Sequence, residues 1–286
     1  MNPIPTFNWS AWIPLQGSQL KDKSPTSEGV YRIRDAKTEV VIYVGESKNL
    51  RRRFSNLQET FKAEIPFSDP HTAAPALWAY LQENATELEI SFLEVPGDRP
   101  KRMSVESTYI AILRQQHGES PLANFGQMPH GWVKSSGNSK YLVDAGRRFK
   151  GFQDATAMRS ASLPSILDLV RSPKDSGWCG LEWSTWETFP NSLPPKDFNG
   201  LYRITRPEIP SLAYIGQGRI SDRLRAHGMK HTLVGHAQAN DFAPGFQISW
   251  VRAEVSHPRQ LLELEDDLIA SHVISFGHCP SAQFIG

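Results

Sequence analysis

Gly29-Val30-Tyr31-Arg32-Ile33 and Val40-Val41-Ile42-Tyr43-Val44-Gly45 are two runs of mainly β-branched and aromatic residues, separated by the polar stretch Arg34–Glu39. Extended runs joined by a short polar connection read as a β-hairpin. The second tyrosine follows the first by twelve residues, and a glycine stands two residues beyond it.

Working outward, the hairpin recurs. Gly200-Leu201-Tyr202-Arg203-Ile204 repeats the first run, and Tyr214-Ile215-Gly216 again falls twelve residues after the preceding tyrosine. Pro207 and Pro210 lie between these runs, where a connection tolerates them and a ladder does not. Upstream, Trp9-Ser10-Ala11-Trp12 matches Trp183-Ser184-Thr185-Trp186; downstream, Ile90-Ser91-Phe92 matches Ile248-Ser249-Trp250. Glu106-Ser107-Thr108-Tyr109-Ile110-Ala111 matches Glu265-Asp266-Asp267-Leu268-Ile269-Ala270, and a proline stands fifteen residues after each glutamate, at Pro121 and Pro280. Pro121-Leu122-Ala123-Asn124-Phe125 then matches Pro280-Ser281-Ala282-Gln283-Phe284. Blocks repeated in one order are the signature of internal duplication. The chain is expected to divide into 1–126, 127–180 and 181–286.

Each copy reads strand, turn, strand, helix, with a third strand at Leu88–Val95 or Phe246–Val251 and a long helix after it. Ser47 or Asn49 is placed to cap a helix starting near Leu50, and Ser104 to cap the helix carrying Val105, Tyr109, Ile112 and Leu113, which Gly118 ends. Pro258 suits the start of the matching helix, and Gly277 follows its end. The expected fold class is α/β (α+β): two small three-stranded sheet domains with flanking helices, internally duplicated. Leu163–Arg171 is expected to form a short helix capped by Ser162. The tryptophans are expected to pack in each repeat's core.

The chain has 286 residues, 39% hydrophobic and 21% charged, which suits a globular protein of two domains. No apolar run approaches the roughly 18 residues of a membrane span, and Met1–Trp12 lacks a basic region followed by an apolar block, so neither a membrane nor an export signal is expected. Cys179 and Cys279 are the only cysteines, too few for a disulfide framework or a thiolate cluster; a cytoplasmic location is expected. The net charge of +1 requires any nucleic-acid surface to be local. Lys48, Arg51, Arg52 and Arg53 form one basic cluster; residues 127–180 form another, with eight Lys or Arg against four Asp and no Glu.

The pattern Gly-Val-Tyr, Tyr-Val-Gly-Glu-Ser, Asn-Leu-Arg-Arg-Arg over 29–53 resembles the GIY-YIG nuclease family, and both repeats carry it. The resemblance implies a metal-dependent DNA endonuclease. It assigns Tyr31, Tyr43, Arg53 and Glu106 to the first site, with Asn124 as its supporting polar residue. It assigns Tyr202, Tyr214, Arg223, His227 and Glu265 to the second, with Gln283 in place of the asparagine. Among three neighbouring arginines, Arg223 precedes His227 by four residues and so shares its helix face, unlike Arg219 and Arg225. Glu106 and Glu265 would be the ligands of Mg²⁺ or Mn²⁺, a hard cation that keeps waters and takes few protein oxygens. The metal would polarise the phosphate, an arginine would meet it in bidentate geometry, and a tyrosine of lowered pKa would activate water, with His227 taking the proton.

Each copy departs from the pattern differently. Leu57 stands four residues after Arg53, where a proton-relaying side chain is expected; His71 or a water would have to substitute. The second copy is therefore the surer catalyst. His227, His231 and His236 are not read as a zinc site, since no cysteine lies nearby and Gly228 is expected to interrupt the helix. The fused copies are expected to act on double-stranded DNA as a pseudo-dimer within a monomer, or as a homo-oligomer. Residues 127–180 and 58–87 would supply DNA-reading elements of a restriction-type enzyme. The other readings are a repair or structure-selective nuclease and an inactive DNA-binding protein of the same fold.

Overall fold

The computed structural model describes residues 5–62, 64–68 and 72–285, so His71 lies outside the described residues. The first half holds β1 (Ile13–Pro14), α1 (Leu20–Lys23), β2 (Gly29–Asp35), β3 (Val41–Ser47), α2 (Leu50–Glu59), β4 (Phe67–Ser68), α3 (Ala74–Glu83), β5 (Leu88–Glu94) and α4 (Arg99–His117). After it come β6 (Trp132–Lys134), α5 (Lys140–Asp144), β7 (Arg147–Arg148), β8 (Gly151–Gln153), β9 (Glu187–Thr188), β10 (Asn199–Thr205), β11 (Tyr214–Arg219), α6 (Ile220–Lys230), β12 (Gln247–Arg252) and α7 (Pro258–Phe276). No helix among the described residues is long and apolar enough to cross a membrane.

The chain forms two compact units that cut the sequence differently from the expected three segments. One comprises Phe7–Gly97 with Ser120–Ala161; the other contains Asp98–Glu119 and Ser162–Gly286. Residues 127–180 are thus shared out, and α4 groups with α7.

In the first unit the sheet order is β1-β5-β2-β3, all antiparallel. Tyr31 and Ile33 of β2 point to one face, where they pack with Leu50, Phe54 and Leu57 of α2 and Leu77 of α3. Asp35 ends β2: its carboxylate accepts from the Lys37 and Thr38 amides, which fixes the polar connection as a turn. On the other face Arg32 lies between Trp9 and Trp12, 4.5 Å from each ring. Two two-stranded ladders, β4 with β7 and β6 with β8, complete this unit.

In the second unit the sheet order is β11-β10-β12-β9, again antiparallel throughout. Read from the short edge strand inward, it is the order of the first sheet. Both sheets have four strands rather than the expected three. The extra strand is a two-residue edge, β1 or β9, too short to show alternation; in β1 it includes Pro14, which only an edge accepts. The resemblance extends to individual bonds. Ser10 and Ser184 each donate a backbone amide to the neighbouring strand, at Phe92 O and Trp250 O, and accept that residue's amide on Oγ. Arg203, fully buried, lies between Trp183 and Trp186 at 4.4 and 4.6 Å.

Helices α4 and α7 pack through a buried ionic network. Arg114 Nε meets Asp267 at 3.0 Å and its Nη1 meets Glu263 at 3.3 Å, with all three side chains fully buried. Those carboxylates also explain why Leu163–Arg171 is not the expected helix. Glu263 accepts from the Leu163 amide and the Ser162 hydroxyl, and Asp267 accepts from the Ile166 amide. Ser162 is thus engaged elsewhere, and the segment stays irregular. Two further expectations fail locally. Asp98, not Ser104, caps α4, accepting from the Lys101 amide, while Ser104 bonds back to Pro100 O inside the helix. Helix α6 runs through Gly228 without interruption, and the glycine is there for space, since a Cβ would overlap the Phe189 ring.

Candidate active site

The second sheet brings its candidate residues together. Tyr202, in β10, lies directly across the ladder from Gly216 in β11. A Cβ at Gly216 would overlap the rings of Tyr202 and Tyr214, so the glycine of the Tyr-x-Gly pattern is a space requirement. The two tyrosine rings stack at 6.1 Å between centroids, and Tyr214 lies 4.5 Å from the His227 ring.

His227 comes from α6. Its buried stripe reads Ile220, Leu224, His227, at helical spacing, so an imidazole occupies a position built for a core aliphatic. It is 4% exposed, and its Nε2 is 2.9 Å from the Tyr202 hydroxyl. Nδ1 is buried with no hydrogen-bond partner among the described residues. Burial, with Lys230 and Arg223 nearby, lowers its pKa to about 3, so the ring is neutral at ordinary pH. With the proton on Nδ1, Nε2 accepts from Tyr202; that tautomer follows from reading Tyr202 as the donor.

The remaining groups are electrostatic neighbours. Burial raises the Glu265 carboxyl to about 8, opposed by Arg223. The side chain keeps partial surface access, which a ligand site requires. Burial also raises Tyr214 to about 12 and Tyr202 well above the usual phenol range; Glu265 raises both further, and Arg223 opposes it. This is the reverse of the lowered tyrosine pKa expected of a general base, and the cause is desolvation. Arg223 itself is exposed. Gln283 accepts from the Ile215 amide at 3.1 Å, bracing the strand between Tyr214 and Gly216.

The first sheet holds its tyrosines equivalently but has Leu57 where the second has His227. Tyr31 lies across from Gly45, the Tyr31 and Tyr43 centroids are 5.9 Å apart, and both rings are buried. The α2 stripe is Leu50, Phe54, Leu57: the position of His227 is a fully buried leucine. Asn124 bonds Val44 with both amide atoms at 2.9 Å, N–H to Oδ1 and Nδ2 to O, so it braces the backbone as Gln283 does. Arg53 is half-buried on α2. Glu106 lies on α4, which belongs to the compact unit of the second sheet, whereas Tyr31, Tyr43 and Arg53 belong to the other.

No group of three His, Cys, Asp or Glu side chains with metal-ligating proximity occurs among the described residues. The donor set fits a hard cation that arrives with its own phosphate ligands: Glu265 offers one carboxylate beside an exposed guanidinium. Three residues were missed in sequence. Phe242 packs on the His227 ring at 4.4 Å, and Lys230, held by Gln238, lies 5.9 Å from the Tyr214 ring. Lys230 alone left a signal, three residues beyond His227 on the same helix. Comparison with protein-family models, curated proteins and solved structures gave no match, so the site stands on its own geometry.

Proposed function

We propose that this chain is a metal-dependent DNA endonuclease of restriction type. Its two sheets descend from one duplicated domain and act on duplex DNA as a pseudo-dimer. The second sheet carries the chemistry and the first grips the duplex. The observation that carries this reading is the Tyr202–His227 hydrogen bond, formed by a neutral histidine in a core position beside Glu265 and Arg223. An imidazole with an orphaned Nδ1 costs about 1–3 kcal/mol against a leucine, and the first sheet holds a leucine there. A purely structural position would keep the cheaper residue.

The residues divide the work by chemistry. Arg223, exposed, meets the phosphate and balances the charge that develops on it. Tyr202 donates to Nε2 of His227 and so turns its oxygen lone pairs toward an incoming water. His227 orients the Tyr202 phenol by accepting its hydrogen bond; with a pKa of about 3 it is too weak a base to take the proton of a phenol held above its usual range. Tyr214, its ring stacked on Tyr202, holds that hydroxyl in line. Glu265 would hold Mg²⁺ or Mn²⁺, which when bound polarises the phosphate and stabilises the leaving oxygen. Glu265 gives up its proton to do so, so the cation is held more tightly as pH rises toward about 8.

Most of the basic side chains of 127–180 are engaged by groups of the chain itself. Arg147, Lys150, Arg171 and Lys174 donate to the carbonyls of Pro66, Lys62, Gly177 and Ile209, and Arg159 donates to Gln127 and Ser120. Lys48 and Arg52, exposed beside α2, are the better contacts for the gripping half. The test is incubation of the protein with supercoiled plasmid and Mg²⁺, followed by sequencing of the ends. Discrete double-strand ends are expected. Cutting confined to flaps or lesions would replace restriction with repair, and intact plasmid bound by the protein would make it a binder only.

A further inference from the structure

The turn that follows α6 ends in an apolar point that catalysis does not use. Val234 is fully exposed, and Met229 and Leu233 are 64% and 50% exposed. Single apolar side chains scatter over any protein surface, but three within six residues at one turn make a patch. The turn is also held in shape. Thr232 and Leu233 donate their amides to Met229 O and Lys230 O at 3.1 and 3.2 Å, and His236 donates to Leu233 O at 3.1 Å. His231 Nδ1 reaches Gly228 O at 2.6 Å, and Gln238 ties the far side to Ala282 O at 2.6 Å. Gly228 seats the helix end on Phe189. The base of the turn is cationic: Arg223, Arg225 and Lys230 are its charged neighbours on α6, and the one acid of that helix, Asp222, is already engaged by Arg219 and Arg225 at 3.4 and 3.7 Å.

We propose that the 229–236 turn is a wedge that enters duplex DNA beside the scissile phosphate. Leu233 and Val234 insert at a base step, and Arg225 holds a flanking phosphate while Arg223 stays on the scissile one. The proposal rests on the nuclease reading and deepens it by naming how the site meets the duplex. A rigid apolar tip rising from a basic base matches the two faces of DNA, an anionic backbone and an apolar stack. A side chain that parts a base step unstacks and kinks the duplex and so exposes the backbone there.

The experiment seals nicked plasmid with ligase in the presence of the protein, in a Glu265→Gln background that keeps the DNA uncut. With the native tip the linking number falls as protein is added. Val234→Ser and the double variant Leu233→Ser/Val234→Ser abolish that fall while filter retention of plasmid stays within about threefold, since phosphate contacts dominate affinity. Val234 packs against nothing, so its replacement leaves folding intact. Retention with no change in linking number, or an unwinding that the variants leave unchanged, overturns the wedge and leaves the nuclease reading standing. A loss of retention in Val234→Ser with no unwinding by the native tip would make the tip a docking point of another kind. If the native protein neither retains nor cleaves plasmid, the nuclease reading fails and takes the wedge with it.

Discussion

The helix after each tyrosine hairpin carries the same buried stripe, and its last position is Leu57 in α2 and His227 in α6. Around these positions the two sheets agree closely. The strand order, the tyrosine facing a glycine, the serine clasp at Ser10 and Ser184, and the arginine between two tryptophans occur in both. The side chains that differ are the ones to which the nuclease proposal gives the chemistry. A fold is held by features that tolerate no change, such as Gly45 and Gly216, whereas a site is held by a single polar exception to the packing rule.

The largest expected effect comes from making the second sheet like the first. His227→Leu removes the Tyr202 partner and should slow single-turnover cleavage by about 10²–10⁴-fold. It should change thermal stability little, because loss of the orphaned Nδ1 is offset by leaving the buried Tyr202 hydroxyl without that partner, each worth about 1–3 kcal/mol. Cleavage at the native rate would end the distinction drawn between the sheets. Gly216→Ala and Gly45→Ala should each destabilise by about 1–3 kcal/mol in urea melts, because each Cβ would overlap a tyrosine ring. An effect in one only would mean that the hairpins are less equivalent than their registers. Leu57→His should cost about 1–3 kcal/mol by burying an imidazole in an aliphatic core, and should add no cleavage.

A smaller effect is that of pH on stability. His227 and His272 both lie at about 3, lowered chiefly by burial. His272 accepts the Leu212 amide on Nε2 at 3.1 Å and reaches His278 O through Nδ1 at 3.0 Å, so protonation would break the first bond. A histidine lowered by folding keeps its contribution above about 6.5 and loses it as pH falls toward 3. Glu265 has the opposite sign: raised to about 8, it weakens folding as pH climbs from about 4.5 to 8. Urea melts of Glu265→Gln should therefore lose the alkaline decline and keep the acid one. The smallest effect is that of Gln283→Ala, about 1 kcal/mol from the lost bond to the Ile215 amide.

Much of this was legible in the sequence because local chemistry decides it. The hairpins follow from β-branched runs, and the ends of α4 and α7 from Gly118 and Gly277, both in the left-handed region. The family resemblance pointed to His227, and the four-residue spacing to it selected Arg223 among three arginines. What was hidden depends on partners distant in sequence. Leu163–Arg171 has the pattern of a helix, but the carboxylates of Glu263 and Asp267, about a hundred residues on, take its amides. The unit to which Glu106 belongs depends on Arg114 pairing with those same carboxylates. The basic run of 127–180 reads as a surface until its side chains are seen spent on carbonyls. The direction of the tyrosine shifts could not be read at all, because burial sets it.

The claim that one sheet cuts and the other holds is tested most directly by replacing the two aligned glutamates one at a time. Supercoiled plasmid with Mg²⁺ is incubated with the native protein, Glu265→Gln or Glu106→Gln under single-turnover conditions. The account predicts that Glu265→Gln loses about 10³-fold or more while Glu106→Gln stays within about threefold of native. Equal losses in both variants, or a dead Glu106→Gln beside an active Glu265→Gln, would contradict it.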